Sequence, residues 1–458
     1  MQFLRANWWK LTLLGGAVAV ASWGGWGYAD QRRPTLIALN TNTGKLAWVY
    51  PLADDFGYSK GPIAGNGKVV LDGCIKTADK NCGAYQIQTF DARSGKLLWR
   101  DRPTGEYEPY EIASNQSAVI QNDRLYHQLE NQLRSIDLAT GTQQWQIPRR
   151  WFSRNGIWFG MGLVARSDKL AMLELGNRQR SLQILDPKTG KLQQQATITI
   201  PKLESTRHII ATNDRTLFLE TSGLVSADTP NTFYDRGTSA VTAYNSKTLQ
   251  PRFRTDIKSS GIFQMEPIGN ILLLGNYNDY DPKTEGAALM AIDANTGKTI
   301  WQKTRSQIDC HSWSGNEYQV DADTVYFDCN RDGEYNLEDR SRIVALSTQT
   351  GAVRWQTQLS ADSSIRHLPA AMTARQYLTF RRVTKAKADR TQVVALDRQT
   401  GKLLWAFPLF DDEGKYRGFR AIVAAEDDRF FALNLLPRWQ VWLLQMDLSW
   451  YINQPIAN

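Results

Sequence analysis

The chain has 458 residues, 42% of them hydrophobic and 11% aromatic, with 54 lysines and arginines against 46 aspartates and glutamates for a net charge of +8. That apolar content is ample for a packed core and excludes a disordered chain. The balance is mildly basic, but no basic run is interleaved with aromatic platforms, so no nucleic-acid partner is expected and the excess charge reads as solvated surface.

Residues 1–29 form an export signal or an anchor. Arg5 and Lys10 precede an apolar stretch from Leu11 to Ser22, and Gly27 and Ala29 are small residues at a spacing suited to signal-peptide cleavage. Trp8, Trp9, Trp26 and Tyr28 also bracket the stretch, as interfacial belts bracket a transmembrane helix. The two readings stand side by side: a cleaved signal peptide, or a helix holding the protein to the inner membrane. Either delivers residues 30–458 outside the cytoplasm, to a periplasm or equivalent lumen. No cysteine lies near the segment, which excludes a lipoprotein anchor.

From residue 40 onward one phrase recurs at intervals of about 50 residues, a period that signals a propeller or solenoid and overrides the three domains that length alone suggests. It reads apolar-apolar-Asp-x-x-Thr-Gly-Lys-x-x-Trp. Copies sit on Asn40, Gly44 and Trp48; on Asp91, Gly95 and Trp99; and on Asp137, Gly141 and Trp145. Later ones sit on Asp293, Gly297 and Trp301, on Ser347, Gly351 and Trp355, and on Asp397, Gly401 and Trp405. Two are worn: Asp186 and Gly190 are followed by Gln194 in the Trp slot, and Asn245 and Leu249 by Phe253. A β run ends in Asp, whose carboxylate bonds turn amides; Gly supplies the left-handed residue; a second β run follows. The Trp, four residues past the Gly, is expected between neighbouring sheets with its N–H on backbone.

Further β runs lie between the copies, at 68–71, 124–129, 169–173, 216–219, 270–274, 324–327, 376–380 and 429–433, each after a shorter apolar segment. Four strands per unit and eight units predict an all-β fold, an eight-bladed propeller spanning residues 30–458. One strand is left over. Runs 36–39 and 441–446 both look like the third strand of the closing blade, and the expectation is that 441–446 takes that slot while 45–50 completes the ring.

Four cysteines, Cys74, Cys82, Cys310 and Cys329, read as two disulfides in an exported protein. Cys74 and Cys82 flank one loop. Cys310 enters a later blade and Cys329 ends its second strand, and those two loops open on one face, so Cys310–Cys329 is a reasonable pair.

The segment 149–159 combines Arg149, Arg150, Trp151, Phe152, Arg154 and Trp158 where the chain enters a blade. Such a cluster is expected to contact a partner protein, with the membrane surface or simple blade core as alternatives. Segment 328–339 follows the calcium-loop pattern, with Asp328, Asn330, Asp332, the Glu334 carbonyl, Asn336 and Asp339 as ligands and Gly333 at the sharp turn. Asp339 stands where Glu is commoner, and strands flank the loop instead of helices. One structural calcium is expected there. The acidic segment 276–281 lacks the pattern and reads as solvated.

The Asp-x-x-Thr-Gly-x-x-x-Trp repeat resembles that of the PQQ-like, quinoprotein alcohol dehydrogenase-like propeller family, including its non-catalytic BamB-like members. The resemblance covers nearly the whole exported part. It implies a propeller, and it implies either a dehydrogenase using pyrroloquinoline quinone or a binding platform. The quinoprotein site uses adjacent cysteines and an axial calcium; adjacent cysteines are absent, and 328–339 joins a second to a third strand, away from the axis. The quinone is therefore not expected, no catalytic residue is assigned, and the reading leans against an enzyme. Residues entering the first strands, among them Arg207, His208, His311, Arg366, His367 and Arg420, are expected to face the central funnel. They would make a cationic mouth for an acidic glycan or peptide, or merely a polar water channel. The leading expectation is a monomeric propeller acting as an assembly scaffold for envelope proteins.

Overall fold

The computed structural model describes residues 32–437, apart from 54–55, 77–81, 103–117, 130–131, 149–162, 167–168, 176–178, 200–209, 214, 223–238, 259–260, 278–287, 309, 311, 314–317, 331–341, 360–362, 365–369, 386–387, 410–422 and 427. Strands β1 (Arg32–Asn40) and β2 (Leu46–Pro51) come first and belong to the last blade. Blade one is β3 (Phe56–Gly65), β4 (Lys68–Lys76), β5 (Cys82–Asp91) and β6 (Leu97–Asp101); blade two is β7 (Ala118–Gln121), β8 (Arg124–Leu129), β9 (Gln132–Asp137) and β10 (Gln143–Pro148). Blade three is β11 (Leu163–Arg166), β12 (Lys169–Leu175), β13 (Gln179–Leu185) and β14 (Leu192–Thr199); blade four is β15 (Ile210–Thr212), β16 (Thr216–Ser222), β17 (Ser239–Asn245) and β18 (Pro251–Ile257). Blade five is β19 (Gly261–Ile268), β20 (Ile271–Tyr277), β21 (Leu289–Asp293) and β22 (Thr299–Lys303).

In blades six and seven the innermost strand is split in two. Blade six has β23 (Ser312–Trp313) and β24 (Gln319–Val320), both on β25 (Thr324–Asn330), then β26 (Arg342–Ser347) and β27 (Val353–Gln358). Blade seven has β28 (Ser363–Ser364) and β29 (Ala371–Met372), both on β30 (Gln376–Lys385), then β31 (Ala388–Asp397) and β32 (Leu403–Leu409). The last blade opens with β33 (Val423–Glu426) and β34 (Arg429–Pro437). All pairings are antiparallel, and all eight expected second strands are present.

The outer hairpins show how the phrase folds. Asp137 Oδ1 accepts from the N–H groups of Ala139 (3.1 Å) and Thr140 (2.8 Å), and Asn40 Oδ1 does the same for Asn42 and Thr43. Past the turn, two residues of the outer strand oppose one of the third: Leu97 pairs Phe90 and Trp99 pairs Thr89, leaving Leu98 as the bulge. The same shift recurs in every blade and re-aims the Trp. Each Trp lies opposite a small residue: Ala38, Thr89, Ser135, Ala291, Ala345 or Ala395. Its indole then covers the turn glycine of the next blade, where a Cβ on Gly95 would meet Trp48 Cδ2 at 2.6 Å. Only glycine allows that approach.

The core is not one mass but eight hydrophobic clusters, each joining two neighbouring blades. The cluster of Ile37, Leu39, Leu378, Val393 and Phe430 joins blades seven and eight; that of Leu36, Val69, Leu71, Phe90 and Phe431 joins eight and one. The ring is thus closed. One expectation is corrected here: the third strand of the closing blade is β1, not 441–446. β1 pairs β34 over nine residues, from Arg32↔Pro437 to Asn40↔Arg429, and pairs β2 on its other edge. The hairpin turn at Asn40 delivers both outer strands together, so the N-terminal run wins the slot. Residues 438–458 lie outside the described residues, as do 1–31.

Candidate functional site

The seams between blades follow one rule, set by the residue after the turn carboxylate. Except at Pro187, which has no N–H, its N–H donates to the inner turn of its own blade: Ala92 to Gly67 O and Leu138 to Asp123 O, both at 2.9 Å. Its carbonyl accepts the indole of the preceding blade. Trp48 reaches Ala92 (3.0 Å), Trp99 Leu138 (2.9 Å), Trp145 Pro187 (3.0 Å), Trp301 Thr348 (2.8 Å), Trp355 Arg398 (2.8 Å) and Trp405 Thr41 (2.6 Å). Six indoles thus cross the seams between blades in the same way.

The two worn copies are answered by different chemistry. At the seam of blades three and four, Gln194 lies opposite Ile184, a bulky residue where the other copies carry a small one. Leu249 replaces the glycine at φ 55 and lies buried with Ala171, Ile184 and Leu217. The Ser246 carbonyl receives Lys169 Nζ at 3.4 Å, with Ser246 Oγ at 3.1 Å from the same nitrogen. A lysine from blade three thus stands in for the indole. At the next seam Phe253 covers Gly297, and Thr255 Oγ1 donates to the Gly297 carbonyl at 2.9 Å. Lys169 escapes sequence reading because it is 77 residues from Ser246.

Because the tight turns between first and second strands bond those between third and fourth, both kinds occupy one face of the ring. The strand ends that carry the candidate segments therefore open on the other face. The individual candidates there lie outside the described residues: Arg149, Arg150, Trp151, Phe152, Arg154 and Trp158, and Arg207, His208, His311, Arg366, His367 and Arg420. Gln264, on the first strand of blade five, ties two blades together. Its amide accepts from Tyr318 N–H at 2.8 Å and donates to Tyr318 O at 2.9 Å, binding blade five to blade six.

Of the candidate calcium ligands, Asp332, Glu334, Asn336 and Asp339 lie outside the described residues, and Asn330 is described in its backbone alone, at the end of β25. Asp328 faces blade seven, where Tyr377 Oη donates to its carboxylate at 3.3 Å. Burial pushes this carboxyl up to about 7, the Tyr377 bond pulling the other way. Tyr377 itself is pushed up by burial. An ion bound at 328–339 through Asp328 would have to share that carboxylate with Tyr377. Among the described residues no group of three or more potential metal ligands is gathered.

Cys310 and Cys329 form a disulfide with Cα atoms 5.2 Å apart, as expected. Both are fully buried, among Ile308, Tyr318, Val325 and Phe327. Cys74 lies opposite Tyr85, and Cys82 opposite Lys76, on β4 and β5; their side chains are outside the described residues. His127 is buried between blades one and two, its Nε2 4.0 Å from Asp72 Oδ2, beside the Arg134–Asp101 pair at 2.8 Å.

One groove opens between the outer strands of blades two and three. Its 370 Å³ is lined by the apolar Ile147, Pro148, Leu185 and Leu192 together with Gln183, Thr189, Gly190 and Lys191. Pro148 ends β10 and is followed in sequence by Arg149. Sequence reading missed this groove, since it depends on how two blades meet. No helix among the described residues is long and apolar enough to cross a membrane.

The family model described as "Outer membrane protein assembly factor BamB" matches residues 5–156 and 178–375. Comparison with curated proteins gives no match. Among solved structures the chain is similar to BamB from Moraxella catarrhalis, at 11% identity over 83% of this chain and 97% of that one, with a TM-score of 0.40. It is similar to quinohemoprotein alcohol dehydrogenase from Comamonas testosteroni, at 11% identity over 81% of this chain and 70% of that one, with a TM-score of 0.42. A third similarity is to dihydro-heme d1 dehydrogenase NirN, at 11% identity over 83% and 74%, with a TM-score of 0.48.

Proposed function

Since the chain belongs to the family described as outer membrane protein assembly factor BamB, we propose that it is a protein-binding scaffold of the bacterial envelope, delivered outside the cytoplasm by residues 1–29. The family match carries the reading. The segment 149–159 supports it: three arginines and four aromatic residues follow directly on Pro148 at the wall of an open groove. Envelope proteins are the partners, and the propeller works as a monomer.

The rival is a quinone-dependent dehydrogenase. The cysteines speak against it, because the described disulfide joins residues 19 apart inside the core of blade six and so cannot stack on a cofactor at the axis. A calcium at 328–339 would stiffen a loop beside that disulfide, and a Cys74–Cys82 disulfide would close the loop of blade one.

The test is copurification from the producing cells. A specific envelope protein should come down with the full chain and be released by Arg150→Glu or Trp151→Ala. Stoichiometric uptake of pyrroloquinoline quinone with reduction of a dye by alcohols or sugars, and no such partner, would replace the scaffold by the enzyme.

A further inference from the structure

Among the described residues each blade's fourth strand is an edge, a row of backbone groups with no strand beyond it that another chain can extend; proteins guard such edges with charge or proline. Seven of the eight are guarded. β2, β10, β18 and β32 contain Pro51, Pro148, Pro251 and Pro408. β6, β22 and β27 contain Arg100 with Asp101, Lys303, and Arg354. β14 has neither. It is also the longest of them, eight uncharged residues from Leu192 to Thr199, with Gln195 and Thr197 exposed.

Beside the start of β14 lies the groove already described, and Leu192 in its lining is 52% exposed. Lys188 and Lys191, both exposed, flank it in the turn that leads into the strand. The nearby Asp186 carboxylate is occupied by its own turn, accepting from the N–H groups of Lys188 and Thr189 at 2.8 Å. An unguarded edge, an apolar recess and two lysines thus stand together.

We propose that the outer edge of β14 takes an extended segment of a partner protein as a fifth strand of blade three, with an apolar side chain in the groove and an acidic residue against Lys188 and Lys191. Backbone pairing supplies affinity in this mode and the recess supplies selection. The strand of a second copy, Leu192–Thr199, is itself uncharged and offers the lysines no carboxylate, so charge complementarity favours a partner of acidic flank as the occupant. The inference rests on the scaffold reading and says where and how the partner is held.

The probe is a synthetic peptide of alternating threonine and valine ending in leucine and two glutamates, added to the purified full-length protein. At ten times its Kd it should slow amide exchange in 192–199 about tenfold. A peptide N-methylated at alternate residues should give no protection, and Lys188→Glu with Lys191→Glu should weaken binding about tenfold, a loss of about 1.4 kcal/mol. No protection, or protection indifferent to N-methylation, overturns strand addition. Protection that grows with protein concentration alone assigns the edge to a second copy and overturns the partner. A photocrosslinker placed in turn at Gln195 and Trp151 in producing cells separates the two levels. Crosslinks from Gln195 that the lysine substitutions abolish support the edge; crosslinks from Trp151 only leave the scaffold standing and remove the edge; crosslinks from neither remove both.

Discussion

Trp405 donates its indole N–H to the carbonyl of Thr41 at 2.6 Å, across 364 residues of chain. The bond joins blade seven to the N-terminal hairpin that completes blade eight. Asn40 Nδ2 adds a second tie, to Asp428 Oδ2 at 3.1 Å. The ring is therefore latched by its beginning folding onto its end.

Trp405→Phe should keep most of the buried area and lose one hydrogen bond, costing about 1 kcal/mol. Trp405→Ala should cost about 3–5 kcal/mol. Chemical denaturation measures both, and hydrogen exchange should quicken first in β1 and β2. Equal costs for the two variants would show that the N–H, and not the ring's bulk, holds the seam.

Gly95 and Gly67 have nearly the same backbone, φ 70 and φ 71, but a Cβ at Gly95 would strike Trp48 whereas one at Gly67 would meet nothing within 4 Å. Gly67→Ala should cost only the left-handed conformation, about 1 kcal/mol. Gly95→Ala should cost about 2–4 kcal/mol, the excess being overlap with the indole. Melting curves of the two variants, compared directly, check the difference.

The seam of blades three and four invites repair. Gln194→Trp alone should destabilise, because Leu249 fills the place of the glycine that receives the indole elsewhere. Leu249→Gly alone should leave a cavity. Together they should be better than their sum by about 2 kcal/mol, as a double-mutant cycle in urea would read. Additive effects would mean that the two sites do not share one space.

Acid should weaken the outer hairpins. The Ser94 hydroxyl holds Asp91 below the usual carboxylate range, the N–H groups of Thr140 and Thr189 hold Asp137 and Asp186, and the hydroxyls of Thr296 and Thr400 hold Asp293 and Asp397. A depressed folded pKa contributes stability that is present above the unfolded value of 3.8 and lost as pH falls through the folded one. The melting temperature should therefore fall below about pH 4. Asn40 and Asn245 make the same turn bonds without a charge. Converting the five aspartates to asparagine should keep the fold and flatten this acid limb, which a pH series of melting curves tests.

The calcium proposed at 328–339 predicts that chelation lowers the melting temperature of the native sequence and leaves Asp332→Ala unchanged. The same shift in both would remove the ion from that loop.

Much of the fold is legible in the sequence because its unit is local. Asp137, Thr140 and Gly141 make a turn within five residues, and Trp145 declares by its spacing that a neighbour must cover it. Local chemistry of that kind determines blade number, strand count and the docking tryptophans. It even exposes β14, whose lack of charge and proline is written in the chain. What only the tertiary structure decided are the contacts between residues far apart. Runs 36–39 and 441–446 have the same strand-like pattern, and the choice between them rests on nine pairs with β34 and on Trp405 reaching Thr41. Lys169 replacing an indole at Ser246, and Gln264 clasping Tyr318 of the next blade, are likewise invisible locally. A side chain's partner across a seam depends on which blade the ring sets beside it, and the ring exists only once its two ends have met.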